Sequence, residues 1–516
     1  MAARESFWQA ARRDPSRVAL VDPDGRAITA GQLVARGDRL AHALRRSGVA
    51  TGDVVAMLLP NGAATVEVLL ATQQTGLYLT PLNTQLTADE IAYVLADSGA
   101  RAFFADAAFA GVAAAAATAA RIPPERCVAT SGSIAGMTRL DEFTAGAPET
   151  TPPDRTTGQF LQYTSGTTGR PKGVRRAPIP LDPDLVWPQL SAHLARFGIE
   201  PGGDHVHLVT SPMYHTAPLV FGFFSLHAGH RVVLMGKWDA ERFLALVERH
   251  RVTTTHMVPT QFQRLLRLPD ATRRRYDVSS LRQVLHAAAP CPVDTKRRMI
   301  DWLGSVVWEY YGATEGGGAL ASPDEWLARP GTVGRAWAGA EIRVLDDSGA
   351  ACPPGVPGHV YLKLVQDFRY EGDAEKTRAA RRGDFFTVGD VGWLDADGYL
   401  FLCDRAIDMI IRGGVNVYPA EIEAVLLEDP EVADAAVFGI PDDEWGEVVH
   451  AVVEPVAAGA DPGLAERLLA RCRERLAAYK CPRRIELVPA LPRDPNGKLY
   501  KRRLRDPYWA ERSARI

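Results

Sequence analysis

Nowhere in its 516 residues does an uninterrupted apolar run approach the roughly 18 residues a membrane-crossing helix needs, and the opening MAARESFWQAARRDPSR lacks the apolar segment of a secretory signal. A soluble, cytoplasmic protein is expected. Cysteine is scarce: Cys127, Cys291, Cys352, Cys403, Cys472 and Cys481 stand apart without CxxC pairs, which argues against a disulfide framework and against a zinc site. Charge of one sign is also missing. Lys and Arg number 59 against 62 Asp and Glu, a net −3, so no nucleic-acid partner is implied. There is no internal repeat. The chain is long enough, at 46% apolar residues, to bury more than one core, and its length suggests two to four structural units.

Short apolar runs alternate with amphipathic helices: residues 17–21, a helix around Leu33 to Leu44, then 54–59. Thr87 with Glu90 forms a capping box, Leu86 and Ile91 a hydrophobic staple, and Ile91, Val94 and Leu95 one apolar face. The alanine-rich stretch 105–120 reads as a packed helix. Further on come a strand at 231–235, a helix showing Phe243, Leu246 and Val247 on one face, and a strand at 253–258. Such βα units predict an α/β fold with a largely parallel sheet and helices on both faces. After Asp404 the character changes to a compact region with apolar segments at 434–440 and 448–455. The expected division is a large α/β domain, 1–404, and a small α+β domain, 405–516.

Two strings carry chemistry. Residues 163–173 read YTSGTTGRPKG, after a strand-like lead-in at Phe160 and Leu161. Gly166 and Gly169 allow backbone angles barred to other residues, so several N–H groups can turn toward one anion. Ser165, Thr167 and Thr168 add hydroxyls, and Lys172 a point charge. Such runs also serve as plain surface loops, but a linker needs no Pro171-Lys172-Gly173 ending. This is a phosphate loop, though not of the common spacing in which Ser or Thr follows the lysine. Residues 309–316 read EYYGATEG after a strand-like Val306-Val307. A carboxylate at a strand end can hold Mg2+ bridging nucleotide phosphates, and Glu315 is the candidate.

These strings resemble the adenylate-forming superfamily, which includes acyl-CoA synthetases, luciferases and peptide-synthetase adenylation domains. The resemblance covers nearly the whole chain in at least five ordered motifs. It implies that Thr164, Ser165, Gly166, Thr167, Thr168, Gly169 and Lys172 bind ATP phosphates, that Tyr311, Gly312 and Ala313 line the adenine pocket, and that Thr314 meets the α-phosphate. The stretch 286–292, HAAAPCP, matches a small-residue loop, so Ala288, Ala289 and Pro290 pass between adenine and the acyl pocket. In 212–218, PMYHTAP, His215 gates the acyl tunnel, positioning rather than acting as a base. Asp390 and Arg405 take the ribose. In 491–499, LPRDPNGKL, Lys498 bridges the substrate carboxylate and the α-phosphate. The catalytic set implied is Lys498, His215, Thr167 and Glu315. Gly413, Gly414, Trp445 and Lys480 match positions associated with CoA.

The implied reaction joins a carboxylic acid to CoA at the expense of ATP, with Mg2+, in a protein that is monomeric or homodimeric. The segment 215–224 contains no acid to hold an α-amine, which favours an apolar or aromatic acid (fatty, aryl or steroid-like). Departures from the family pattern are Ile407, where a pivot Asp or Lys is common, and Arg412 and Val415, where Ser and Glu are frequent. They motivate an alternative: an adenylate-forming enzyme with a non-CoA outcome, such as nitrite activation for diazotisation of an arylamine. A third reading is a nucleotide-binding protein with a dead site.

Overall fold

The computed structural model describes residues 5–164, 171–202, 204–363, 366–405, 408–413, 415–442, 444–457, 463–494 and 497–510. Among them the strands form five sheets. A six-stranded sheet, parallel throughout, is built around Val54–Leu58, Tyr78–Pro81 and Ala100–Ala105. A nine-stranded sheet contains six neighbouring parallel strands, in the order Val307–Ala313, Gln283–His286, Thr254–Met257, Val206–Val209, Arg231–Leu234 and Val18–Val21. One core joins both sheets through the helices Ala30–Arg46, Ala63–Gln73 and Thr216–His227. Ala63–Gln73 is buried on every side, as a helix sandwiched between two sheets must be.

The expected elements lie where the sequence puts them. Thr87 caps the helix Ala88–Ser98 with a complete capping box, its N–H donating to Glu90 Oε2 at 2.8 Å, and Leu86 and Ile91 share one core. The alanine stretch differs in detail. Ala100–Ala105 is a strand and the packed helix is the shorter Ala110–Ala119, burying Ala113, Ala116 and Ala117. The parallel expectation also fails from residue 342 to 405, where six short strands form an antiparallel sheet. Antiparallel neighbours need no crossover helix. Between Asp390–Leu394 and Leu400–Arg405 the chain reverses at Asp395 to Gly398, and Trp393 stacks on Phe401 across the hairpin at 4.1 Å.

The C-terminal body is α+β with its own core. The long hairpin Val432–Asp442 and Gly446–Pro455 is flanked by Ile410–Arg412 and by Arg484–Leu487, and helices Pro419–Leu427 and Leu464–Arg475 pack on it. Contacts tie it to the large body. Arg267 donates to the carbonyls of Val432 and Ala433, and the Asp404 carboxylate accepts Ala420 N–H at 3.0 Å, at the first turn of Pro419–Leu427. Gly497 lies so close to Thr260 that a Cβ there would stand 2.1 Å from its hydroxyl oxygen.

Candidate active site

The cluster forms at the C-terminal ends of the parallel strands, where open α/β sheets place their ligands. Gln162–Thr164 pairs antiparallel with Lys172–Arg176, Thr164 opposite Lys172, so the strands that flank the phosphate loop in sequence are hydrogen-bonded neighbours. Ser165, Gly166, Thr167, Thr168 and Gly169 lie outside the described residues, as do Ile407 and Gly414. On the second strand the Lys172 ammonium is ion-paired with Asp373, which also caps the helix Ala374–Ala379. The pair draws the Asp373 carboxyl below its ordinary range, chiefly through that hydrogen bond.

Glu315 is buried at the turn joining Val307–Ala313 to Gly316–Ala321, and Tyr370 O–H donates to its Oε1 at 2.7 Å. Thr314 stands beside it, its hydroxyl 3.0 Å from that of Thr216, which in turn donates to Gln162; Arg176 donates to the Thr314 carbonyl. Gln162 on the strand before the loop, Thr314 next to the magnesium candidate and Thr216 on the helix after His215 are thus linked by one hydrogen-bond chain. Tyr311 O–H donates to Asp390 Oδ2 at 2.5 Å, and Arg405 Nε lies 3.4 Å from Asp390 Oδ1, across the register pair Asp390 and Arg405. Burial and then the Asp390 charge push the Tyr311 phenol well above its ordinary pKa, so it remains a donor. Gly312 and Gly318 are covered by the Trp337 ring.

After Gln283–His286 the small-residue loop turns through Ala288 with φ +75°, a left-handed conformation that an alanine adopts only under strain. Ala288 and Pro290 are exposed and Ala289 partly so, leaving this backbone accessible. His215 precedes the helix Thr216–His227. Burial, and then the Lys498 charge, pull its pKa down to about 3, so its ring is neutral near pH 7. Burial also lowers the Lys498 ammonium, followed by Arg405, while Asp494, Asp408 and Glu315 oppose the shift. The small body therefore delivers Lys498 into the same electrostatic neighbourhood as His215, Arg405 and Glu315.

The candidate CoA residues form a separate group on the small body. Gly413 N–H donates to the Trp445 carbonyl at 2.8 Å, Arg412 lies over the half-exposed Trp445 ring and donates to the Tyr479 carbonyl, and Lys480 pairs with Glu421 at 2.8 Å. Sequence reasoning passed over Gln162, Thr216, Tyr370, Asp373 and Asp494. The stretch 370–377, YEGDAEKT, offered a signal, since an aromatic and a helix-capping aspartate there suggest an ordered turn.

Fold and cluster define a two-body α/β protein whose polar groups converge where one body closes on the other. A profile of the AMP-binding enzyme family matches residues 7–367, and that of the AMP-binding enzyme C-terminal domain matches 421–498. The chain belongs to this family, within the adenylate-forming superfamily, and is an enzyme of the acid ligase class. It is 36% identical over 504 residues to a feruloyl-CoA synthase of an Amycolatopsis species, covering 96% of each. It is 32% identical over 525 residues to a fatty acid–acyl-carrier-protein ligase of Streptomyces coeruleorubidus, covering 98% of this chain and 96% of that one. Among solved structures it resembles an amide bond synthetase from Marinactinospora thermotolerans, with a TM-score of 0.83 and 29% identity, covering 97% of this chain and 98% of that one.

Proposed function

We propose that this enzyme activates an apolar or aromatic carboxylic acid with ATP, releasing pyrophosphate, and passes the acyl group of the acyl-adenylate to CoA. The observation that supports this reading is the nearness of the Lys498 turn to His215: Lys498 N–H donates to Asp494 Oδ1 at 2.9 Å, and Asp494 Oδ2 lies 3.6 Å from His215 Nε2. An acid with a pKa near 4 arrives ionised at neutral pH, so the chemistry needs alignment and charge neutralisation rather than a base. Lys498 bridges the carboxylate and the α-phosphate, where a preorganised charge acts on the transition state. Thr314, oriented through Thr216 and Gln162, donates to the α-phosphate. Tyr311, fixed on Asp390, presents its ring to adenine opposite the Ala288 to Pro290 backbone, and Asp390 with Arg405 reads the ribose. Neutral His215 orients the acid.

Glu315 fits a magnesium ion. It is a buried carboxylate steadied by Tyr370, and among the described residues no group of three or more His, Cys, Asp or Glu surrounds it, so the remaining oxygens would come from nucleotide and water. Bound there, magnesium neutralises phosphate charge.

The acid class is supported by the helix Thr216–His227, which has no acidic residue, and by the Phe197, Phe221 and Tyr310 rings gathered at its flank 5.5 to 5.8 Å apart. The large domain, 1–404, and the small one, 405–516, close in two orientations, the second bringing Gly413, Gly414, Trp445 and Lys480 to the CoA thiol. The enzyme acts in the cytoplasm, as a monomer or homodimer; among the described residues no helix is long and apolar enough to cross a membrane. Pyrophosphate release measured over a panel of aliphatic, aryl and steroid-like acids, with and without CoA and with mass spectrometry of the product, tests the proposal. One acid class should drive release and yield its thioester. Arg412, seated on Trp445 in the loop assigned to the thiol step, favours a second reading in which a non-CoA acceptor takes the adenylate. Release without any thioester, or release only with nitrite and an arylamine, would select it.

A further inference from the structure

Successive side chains of a strand point to opposite faces, and in Val307–Ala313 Tyr311 meets Asp390 while Tyr310 turns the other way, toward the helix Thr216–His227 that follows His215. There it joins an apolar cluster with Phe197, Phe221 and Leu285. One polar ring intrudes on that cluster. His256, 2% exposed at the end of Thr254–Met257, stacks on Phe221 at 5.4 Å, and its Nε2 stands 3.0 Å from the Tyr310 hydroxyl oxygen. The His256 carbonyl accepts the Thr210 hydroxyl at 2.7 Å, which steadies the strand end that carries the ring. Its Nδ1 is buried and has no hydrogen-bond partner among the described residues.

Burial pulls the His256 pKa down to about 3, so near pH 7 the pair holds two protons, one on the phenol and one on the ring. The bond between them uses one. With the ring proton on Nδ1, the phenol donates to Nε2, and a buried N–H is left without an acceptor. With it on Nε2, the ring donates to the phenol oxygen, and the phenol O–H is free for an acceptor that no other described residue supplies. Tyr310 is partly exposed, so an incoming molecule can reach it. We propose that Tyr310, held by His256, is a specificity-determining residue that donates to an oxygen of the substrate, and that this substrate is an aryl acid carrying a hydroxyl or ether oxygen on its ring. The Phe197, Phe221 and Tyr310 rings, set at steep angles to one another, suit a flat aromatic body. A wholly apolar acid would leave the second proton unpaired. This inference rests on the acid-activating reading above and narrows its substrate class.

Pyrophosphate release is measured for benzoate, phenylpropionate and cinnamate, each beside its meta- and para-hydroxy and methoxy forms, and for aliphatic acids, on wild type and on Tyr310→Phe, which deletes one oxygen and keeps the ring. On wild type at least one oxygen-bearing form should exceed its unsubstituted parent in kcat/KM by about tenfold or more, the worth of a buried donor that otherwise goes unpaired. Tyr310→Phe should bring that ratio close to one, with the loss falling on KM, since a contact to the ring is made in ground and transition states alike. A tyrosine that only packs would slow both acids together and leave the ratio where it was, which overturns the proposal. Wild type without a preference for oxygen in any of the three sets, or active with aliphatic acids alone, overturns it too, and needs no variant that folds. Failure of the ligase reading is a different result, namely wild type that releases no pyrophosphate with any acid.

Discussion

Lys498 is expected to matter to one chemical step and not the other. The residue is partly buried, with burial and then Arg405 lowering its pKa while Asp494, Asp408 and Glu315 oppose the shift. Lys498→Ala should lower the rate of adenylation roughly 10²- to 10³-fold, by analogy with loss of a preorganised oxyanion donor, with little change in acyl transfer from supplied adenylate. Separate rate measurements on the two half-reactions check this; equal losses in both would remove Lys498 from the adenylation site. The structure also accounts for Asp395 and Asp397, read in the sequence as a plain turn. They close the Asp395 to Gly398 reversal and pair with Arg329.

At the scale of elements, the hairpin from Val307–Ala313 to Gly316–Ala321 carries the adenine, α-phosphate and magnesium candidates on one turn. Gly318, inside the second strand, lets that strand lie close against Tyr311 and Trp337. At φ +154° a Cβ would stand 2.2 Å from the Tyr311 carbonyl oxygen and 2.3 Å from the Trp337 ring. Gly318→Ala should therefore cost about 3 kcal/mol, read as a fall in the unfolding midpoint, together with weaker ATP binding because Tyr311 must move. An unchanged midpoint would mean the strand can relax around a methyl group. The sequence made this hairpin legible because its residues are contiguous, and the same holds for the lysine loop and the capping box at Thr87. Tyr370 and Thr216 were not legible. Each acts through a partner at least 54 positions away, and no local pattern records such a pairing. The antiparallel sheet was missed for a related reason: its strands are two to six residues long, too short for a period to declare itself.

For the whole molecule, the large body buries histidines that stay neutral. His207, His227 and His256 are pushed down to about 3, and His230 to about 4, in every case first by burial. His227 Nδ1 accepts the Phe7 N–H, which a protonated ring cannot do. In the unfolded chain these rings titrate near 6.5. Above that pH neither state binds the proton and stability is unaffected. Below it the unfolded chain takes up protons the folded one refuses, so stability falls, by about 1.4 kcal/mol per pH unit for each ring, until the folded pKa is reached. The thermal midpoint should be flat from pH 8 to 6.5 and drop steadily toward pH 4.5; a flat profile below 6.5 would contradict the neutral assignment. One strand end joins the bodies in another sense. In Leu400–Arg405, Arg405 lies against Asp390 while Asp404 holds the first turn of a small-body helix, so neighbouring residues touch the proposed ribose site and the proposed lid. Thermodynamic reciprocity follows: by whatever factor closure of the lid tightens the nucleotide, the nucleotide favours closure by the same factor, and an enzyme filled with AMP alone must rest further toward the closed form than an empty one.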